Sequence, residues 1–266
     1  MPGQLKKAPL VEALLEIKWE LTKIGPDTFQ DPAYGLLIGL LYDRIHDKFK
    51  FIEPLPITQI PDEMTPYMVK HRYRVEKNRW PLVQLGPGVL SLNFTSPYNW
   101  EMFMETAQFV LPQLVEAYTV ARPEDEGTKL RVTSVMLRYI NAVDLNWTES
   151  NALEFLASKL HTVFQLPPQI SEAETISGVP TSLNLQIGYP LQQPKGQGIV
   201  RFASGRKGQD LGLIWELMVH SQNEDAPQLT ALETFWAWLC KAHDDVIEKW
   251  FFALIEGDLE QQFRGG

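Results

Sequence analysis

The chain has 266 residues, of which 44% are hydrophobic and 21% charged, proportions that are ordinary for a globular protein with a sizeable core. Its net charge of −9 argues against general affinity for nucleic acid or acidic membranes, because such affinity depends on cationic groups that neutralise phosphates. The single cysteine excludes an internal disulfide and a cysteine-rich zinc site.

The first half of the chain predicts a strand and a helix, then three strands and a second helix. The opening strand shows alternating apolar and polar residues, and both helices show apolar residues at helical spacing. In chain order we predict a strand at 11–21, a helix at 34–49, an irregular proline-rich crossing at 51–66, strands at 68–77, 82–85 and 89–94, and a helix at 98–118.

The second half repeats this order after a charged linker at 122–129. We predict a strand at 130–145, a helix at 149–164, a proline-bearing loop at 166–178, strands at 180–189, 199–203 and 211–219, and a helical region from 229 to about 254 with a tail to 263. The repeat concerns the order of elements and not the residues themselves, so coincidence in an ordinary α+β chain is the alternative to duplication.

These elements predict an α+β fold with a mainly antiparallel, curved sheet covered by helices. Its two β-α-β-β-β-α halves, residues 1–126 and 127–266, would pack as one globular unit. Pairing the edge strands of the two halves would produce one continuous sheet and remove exposed edges. TATA-box-binding-like and helix-grip folds have this general layout, but the analogy concerns element order alone and implies no function.

Motifs for common chemistries are missing from the sequence. It contains neither a phosphate-binding G-x-x-x-x-G-K-[ST] loop nor a dinucleotide-binding G-x-G-x-x-G motif. The stretch G-R-K-G at 205–208 lies between two predicted strands, where a polar hairpin turn is favoured over a phosphate site. We therefore predict no cofactor and assign no catalytic residue.

The histidines do not form a recognised metal-binding pair such as H-x-x-x-H. His243 precedes Asp244 and Asp245 on a predicted helix, where adjacent residues point in different directions and do not converge on an ion unaided. The pair Asp244 and Glu248 is interpreted as part of a solvated face. We predict no metal site, and we interpret His243 as a core or interface residue.

Several stretches together resemble a sporadically distributed prokaryotic family of uncharacterised proteins. They are A-P-L-V-E-A from residue 8, P-L-V-Q-L-G-P-G-V-L-S-L-N-F-T-S-P-Y-N-W-E-M-F from residue 81, L-R-Y-I-N from residue 137 and A-H-D-D-V-I-E-K-W-F from residue 242. The matching positions are Pro9, Glu12, Gln84, Asn93, Tyr98, Trp100, Phe103, Arg138, Tyr139, Asn141 and His243. The resemblance covers nearly the whole chain and implies no activity; Ala142 departs from the basic residue expected after L-R-Y-I-N.

Candidate structural or ligand contacts are the polar residues within predicted strands, together with His243 on the predicted C-terminal helix. These candidates are Glu12, Gln84, Asn93, Arg138, Tyr139, Asn141 and His243. An unpartnered polar group in a core costs roughly 1–3 kcal/mol, so a mutual network is expected, with Glu12 and Arg138 as a charge pair. Strand alternation places Arg138 and Asn141 on opposite faces, which favours two separate polar positions over one pocket.

The missing motifs and the abundant aromatic residues favour a non-enzymatic module for protein or ligand binding, or for assembly, in the cytoplasm. We expect a protein partner or self-association, and neither a membrane nor a nucleic-acid partner. The alternative is an enzyme, a hydrolase or transferase, with a site near Arg138, Glu12 and His243. That alternative requires those three side chains to converge in one pocket.

Overall fold

A computed structural model describes residues 5–122, 130–145, 147, 151–171, 173–176, 180–207 and 210–265. The strands are β1 Leu10–Trp19, β2 Thr22–Lys23, β3 Phe29–Gln30, β4 Phe51–Pro54, β5 His71–Arg74, β6 Leu82–Gly86, β7 Val89–Phe94, β8 Val132–Asp144, β9 Asn184–Leu191, β10 Gly196–Lys207 and β11 Asp210–Gln222. The α-helices are α1 Tyr34–Ile45, α2 Trp100–Ala121, α3 Ala152–Lys159, α4 Pro168–Ser171, α5 Leu232–Lys241, α6 Glu248–Ile255 and α7 Asp258–Arg264.

Nine of these strands form one sheet in the order β4-β5-β6-β7-β1-β8-β11-β10-β9, and each neighbouring pair is antiparallel. The sheet stays open and does not close into a barrel. The predicted α+β class with a mainly antiparallel sheet is confirmed. None of the described helices is both long and apolar enough to cross a lipid bilayer.

The two halves of the chain meet at the centre of the sheet, where β1 pairs with β8. β7 flanks β1 on one side, and β11 flanks β8 on the other. The predicted boundary between the halves falls in residues 123–129, which lie outside the described residues. The first half has the additional strand β4 and the small β2–β3 hairpin, and duplication stays a prediction.

Alternation along β1 separates the two faces of the sheet. Ala13, Leu15 and Ile17 are fully buried in the main core, which they share with apolar side chains of α1, α2 and α5. The intervening residues, Glu12 and Leu14 among them, point to the opposite face. We call the first side the helical face and the second the far face.

A second hydrophobic core lies between strands β10 and β11 and the helices of the second half. Phe202 and Trp215, which are cross-strand neighbours on β10 and β11, pack there with residues of α3, α6 and α7. Trp147 joins this cluster and donates its indole N–H to the carbonyl of Gly212 at 3.1 Å. The C-terminal helices therefore close the sheet on the same side as the main core.

Several element boundaries differ from those predicted. The crossing at 51–66 contains β4, which pairs with β5 at one end of the sheet, and two short 3₁₀ turns. The helix at 149–164 ends at Lys159, shortly before His161 adopts a positive φ of 47°. α2 begins at Trp100, where the Asn99 side chain accepts from the Met102 N–H at 3.0 Å, and it continues past Pro112.

The predicted C-terminal helix is interrupted. A π-helical turn at Ala242–Ile247 separates α5 from α6, and Gly257 with a φ of 92° separates α6 from α7. β10 and β11 pair as far as Lys207 and Asp210, so residues 205–207 belong to a strand and not to the turn predicted at 205–208. Residues 208 and 209 lie outside the described residues.

Candidate functional site

A chain of polar contacts crosses the far face of the first half. Arg72 Nε donates to Gln84 Oε1 at 2.9 Å, and Gln84 Nε2 donates to Asn93 Oδ1 at 2.8 Å. Asn93 Nδ2 in turn donates to Glu12 Oε1 at 2.7 Å, so the chain passes from β5 through β6 and β7 to β1. Asn93 is 5% exposed, and these contacts satisfy its side chain.

A second polar chain crosses the far face of the other half. Arg138 on β8 and Glu216 on β11 form an ion pair of 2.7 Å. Arg201 on β10 lies 3.6 Å from the same carboxylate oxygen and donates through Nε to Asn184 Oδ1 at 3.1 Å. Glu216 is 6% exposed, and among the described residues its Oε2 has no hydrogen-bond partner. The guanidinium groups of Arg138 and Arg201 thus both lie near the one buried carboxylate of Glu216.

The predicted ion pair between Glu12 and Arg138 does not form. The strand register places Ile140 between two carboxylates, with Glu12 opposite it on β1 and Glu216 opposite it on β11. Both acidic residues are therefore diagonal neighbours of Arg138. Asn93 binds Glu12, and Arg138 binds Glu216. The expected network does connect Glu12, Gln84 and Asn93, but it does not include Arg138.

An aromatic cluster occupies the opposite, helical face of β8. Tyr139 is buried, and its hydroxyl group hydrogen-bonds the hydroxyl group of Tyr98. The imidazole of His243 lies flat on the indole of Trp100, with ring centroids 3.7 Å apart and planes 5° apart. The ring of Phe103 also stacks on the indole of Trp100, with ring centroids 5.6 Å apart. We call Tyr98, Trp100, Phe103, Tyr139 and His243 the aromatic cluster.

Burial determines the protonation of this cluster. It raises the pKa of the Tyr98 and Tyr139 hydroxyl groups, so both tyrosines keep their protons at neutral pH. Burial also lowers the pKa of His243, against the opposing effect of Asp244, whose Oδ1 lies 2.6 Å from the imidazole Nδ1. His243 is thus hydrogen-bonded to the carboxylate of its sequence neighbour Asp244.

The π-helical turn changes what the residues around His243 can reach. Glu248 donates its backbone N–H to the His243 carbonyl, an i→i+5 contact that widens the turn. Ligand atoms of His243, Asp244 and Glu248 lie within 4.8 Å of one another. Asp244 therefore contacts His243 even though the two residues are adjacent in sequence. Asp245, in contrast, points away and bonds Lys249 at 2.7 Å.

Asn141 occupies a separate buried position. Its cross-strand neighbour on β11 is Trp215, whereas Arg138 is opposite Met218, so the register confirms that Arg138 and Asn141 point to opposite faces. Asn141 is 2% exposed. Among the described residues, neither its Nδ2 nor the indole Nε1 of Trp215 has a hydrogen-bond partner.

The candidate residues therefore divide between the two faces. Glu12, Gln84, Asn93 and Arg138 belong to the far face, whereas Tyr139, Asn141 and His243 belong to the helical face. Arg138 and His243 are separated by the sheet, so the enzyme site predicted near Arg138, Glu12 and His243 does not come together as one pocket.

Residues beyond the candidates complete these arrangements. Glu216 and Arg201 had no distinguishing sequence signal, because each is one charged residue in a strand of mixed composition. Ser134 and His220 also pair on the far face, with Ser134 Oγ 2.9 Å from His220 Nε2. Burial, and then the charge of Lys18, lower the pKa of His220. The sequence marks Glu248 only as half of a carboxylate pair with Asp244.

No protein-family model matches this chain, and no curated protein matches it in sequence.

Proposed function

We propose that the protein is a non-enzymatic binding or assembly protein that engages a protein partner through two exposed apolar segments. The first apolar segment, residues 60–68, follows β4. The second consists of the described residues 163–171 and 173–176, which follow α3. Their exposed apolar side chains are Ile60, Met64, Tyr67, Met68, Val163, Phe164, Leu166, Ile170 and Ile176. Single exposed apolar residues are ordinary, but their concentration in two short segments is typical of interaction surfaces.

The fixed backbone of the first apolar segment is the observation that carries this proposal. Lys70 is 1% exposed, and its ammonium group donates to the Ile60 carbonyl and to Asp62 Oδ1, both at 2.5 Å. Tyr67 donates its backbone N–H to the Pro87 carbonyl at 2.8 Å. The side chain of Met64 is nevertheless 73% exposed. An apolar surface held in place before binding loses less entropy when a partner arrives.

The charges of the far face support a protein partner over nucleic acid. Arg72 donates to an amide, Arg138 pairs with an acid, and Lys18 lies 2.8 Å from Glu16. Phosphate binding needs cations that are free to neutralise the backbone of the nucleic acid. These pairings and the net charge of −9 favour a protein partner over nucleic acid.

The test compares apolar replacements inside and outside the two segments. The double variant Met64→Gln and Val163→Gln removes the two most exposed apolar side chains of the segments. The variant Leu36→Gln is the matched control, because Leu36 is 62% exposed on α1, outside both segments. Affinity capture from the source cells, with quantitative mass spectrometry, measures which proteins are retained, and light scattering measures self-association.

We expect the double variant to lose at least nine-tenths of a reproducibly retained partner, or of self-association, while Leu36→Gln keeps it. Equal retention by the double variant and the wild-type chain would contradict the proposal. A monomer that captures no protein reproducibly would also contradict it.

A further inference from the structure

A histidine and two carboxylates converge where α5 passes into α6. The potential ligand atoms of His243, Asp244 and Glu248 all lie within 4.8 Å of one another. Two ligands of one tetrahedral zinc ion, each about 2.1 Å from the metal, are separated by about 3.4 Å. Small side-chain rotations therefore suffice to bring the three groups around one ion.

The fold holds the imidazole in place for such a role. His243 is 9% exposed and lies flat against Trp100, with its Nδ1 directed at the Asp244 carboxylate. The π-helical turn brings Glu248 alongside, because its backbone bonds the His243 carbonyl. A buried imidazole with fixed orientation binds an ion with little loss of side-chain entropy.

The charge around these three groups is negative and uncompensated. Among the described residues, neither Asp244, Glu248 nor the nearby Glu101 forms an ion pair with a lysine or arginine. The next acidic residue along the chain, Asp245, is paired with Lys249. An uncompensated group of carboxylates beside a neutral nitrogen ligand is stabilised by a bound cation.

We propose that His243, Asp244 and Glu248 form a binding site for one divalent transition-metal ion such as Zn²⁺. His243 supplies Nδ1, and each acidic residue supplies one carboxylate oxygen. The ion takes the position of the proton that His243 and Asp244 share in the metal-free chain. Because the Asp244 side chain is 57% exposed, water can fill the remaining coordination positions. This site does not depend on the proposed binding function.

Titration of the whole chain with zinc tests the site. Metal-free protein, prepared with a chelator and dialysed, is titrated with ZnCl₂ in a calorimeter. We expect one Zn²⁺ per chain with a Kd of about 10 μM or tighter, which corresponds to about −7 kcal/mol. Zinc should also raise the Tm, since it binds the folded chain preferentially.

Three carboxylate-to-amide variants locate the ion. Asp244→Asn and Glu248→Gln should each weaken zinc binding at least tenfold and reduce the rise in Tm. Asp245→Asn is the matched control, because it removes a neighbouring carboxylate that bonds Lys249 instead. These replacements leave the buried His243 in place, so the variants should fold normally, as circular dichroism of each can verify.

Two outcomes would overturn the proposal. The first is the absence of saturable binding of one Zn²⁺ per chain at up to 1 mM metal. A Kd of 1 mM corresponds to a binding free energy of only about −4 kcal/mol. The second is equal zinc affinity in all three variants or an equal loss in Asp245→Asn, which would assign the binding to another part of the surface.

Discussion

Arg138 and Glu216 form the ion pair that joins the two central strands of the second half, at 2.7 Å across β8 and β11. The carboxylate is almost completely buried, and Arg201 lies near its other side. Removing one member of such a pair leaves a buried charge without its partner. The packing of the far face should therefore be sensitive to the replacement of one carboxylate oxygen of Glu216 by an amide nitrogen.

We expect Glu216→Gln to lower the free energy of unfolding by about 2–3 kcal/mol, somewhat below the roughly 3–5 kcal/mol typical of fully buried pairs, because Arg138 is partly exposed. Urea unfolding followed by circular dichroism measures the change. Glu12→Gln is the matched control: its amide oxygen can still accept from Asn93, so its effect should be below about 1 kcal/mol. Equal losses of unfolding free energy in both variants would show that the ion pair of Arg138 with Glu216 makes no special contribution to stability.

Lys70→Met should loosen the first apolar segment. The replacement keeps the volume of the buried side chain but leaves the Ile60 carbonyl and the Asp62 carboxylate without their donor. We expect a loss of stability of about 1–3 kcal/mol and faster amide hydrogen exchange at residues 56–68. Hydrogen-exchange mass spectrometry measures the second effect directly. Unchanged exchange in this segment would mean that other contacts fix its backbone.

Gly86→Ala should destabilise the same region from the other side. A Cβ on Gly86 would lie 1.9 Å from the Met68 carbonyl oxygen, so the backbone of the segment must move. Overpacking of this kind typically costs about 1–3 kcal/mol. Gly188→Ala is the control, because the nearest atom to its added Cβ is 3.9 Å away. A decrease in Tm as large for Gly188→Ala as for Gly86→Ala would contradict the explanation by close approach.

Stability should fall as the pH decreases below about 6.5, the usual pKa of histidine. Burial lowers the pKa of His220, Lys18 lowers it further, and Glu16 opposes both effects. The unfolded chain therefore binds a proton at a higher pH than the folded chain does. The resulting loss of stability is complete once the pH lies below the pKa of His220 in the folded chain. His71 and His243, whose pKa is also lowered by burial, contribute with the same sign.

Urea unfolding at pH 8, 7, 6 and 5 measures this dependence. In His220→Gln, an amide takes the place of the imidazole beside Ser134, and we expect a smaller loss between pH 7 and pH 5 than in the wild-type chain. An equal pH dependence in both proteins would show that protonation of His220 is not coupled to unfolding.

Regular patterns in the sequence were sufficient for much of the fold. The alternation in β1 and β8 predicted their faces correctly, because each strand has one side in the main core. α2 was predictable from its apolar spacing even though it contains Pro112. Strand β4 was missed because its four residues precede a proline-rich stretch and pair only at the end of the sheet.

The contacts of individual side chains were less predictable. Arg138 had two diagonal carboxylates available, and alternation could not decide between Glu12 and Glu216. The approach of Glu248 to His243 depends on a π-helical turn, which leaves no periodic signature in so short a segment. The partner of Arg138 thus depends on side-chain packing across the sheet, and the approach of Glu248 to His243 depends on local helix geometry. Neither is contained in the sequence pattern.

The pairing of β1 with β8 at the centre of the sheet has a consequence for the kinetics of folding. Almost half of the chain separates these two strands, so the middle of the sheet can be completed only after a large loop has closed. Such non-local pairing slows folding. On the ribosome, β1 has β7 on one side but awaits β8 on the other until the second half emerges. During that interval the nascent chain exposes a ten-residue strand edge, and exposed edges of this kind favour aggregation.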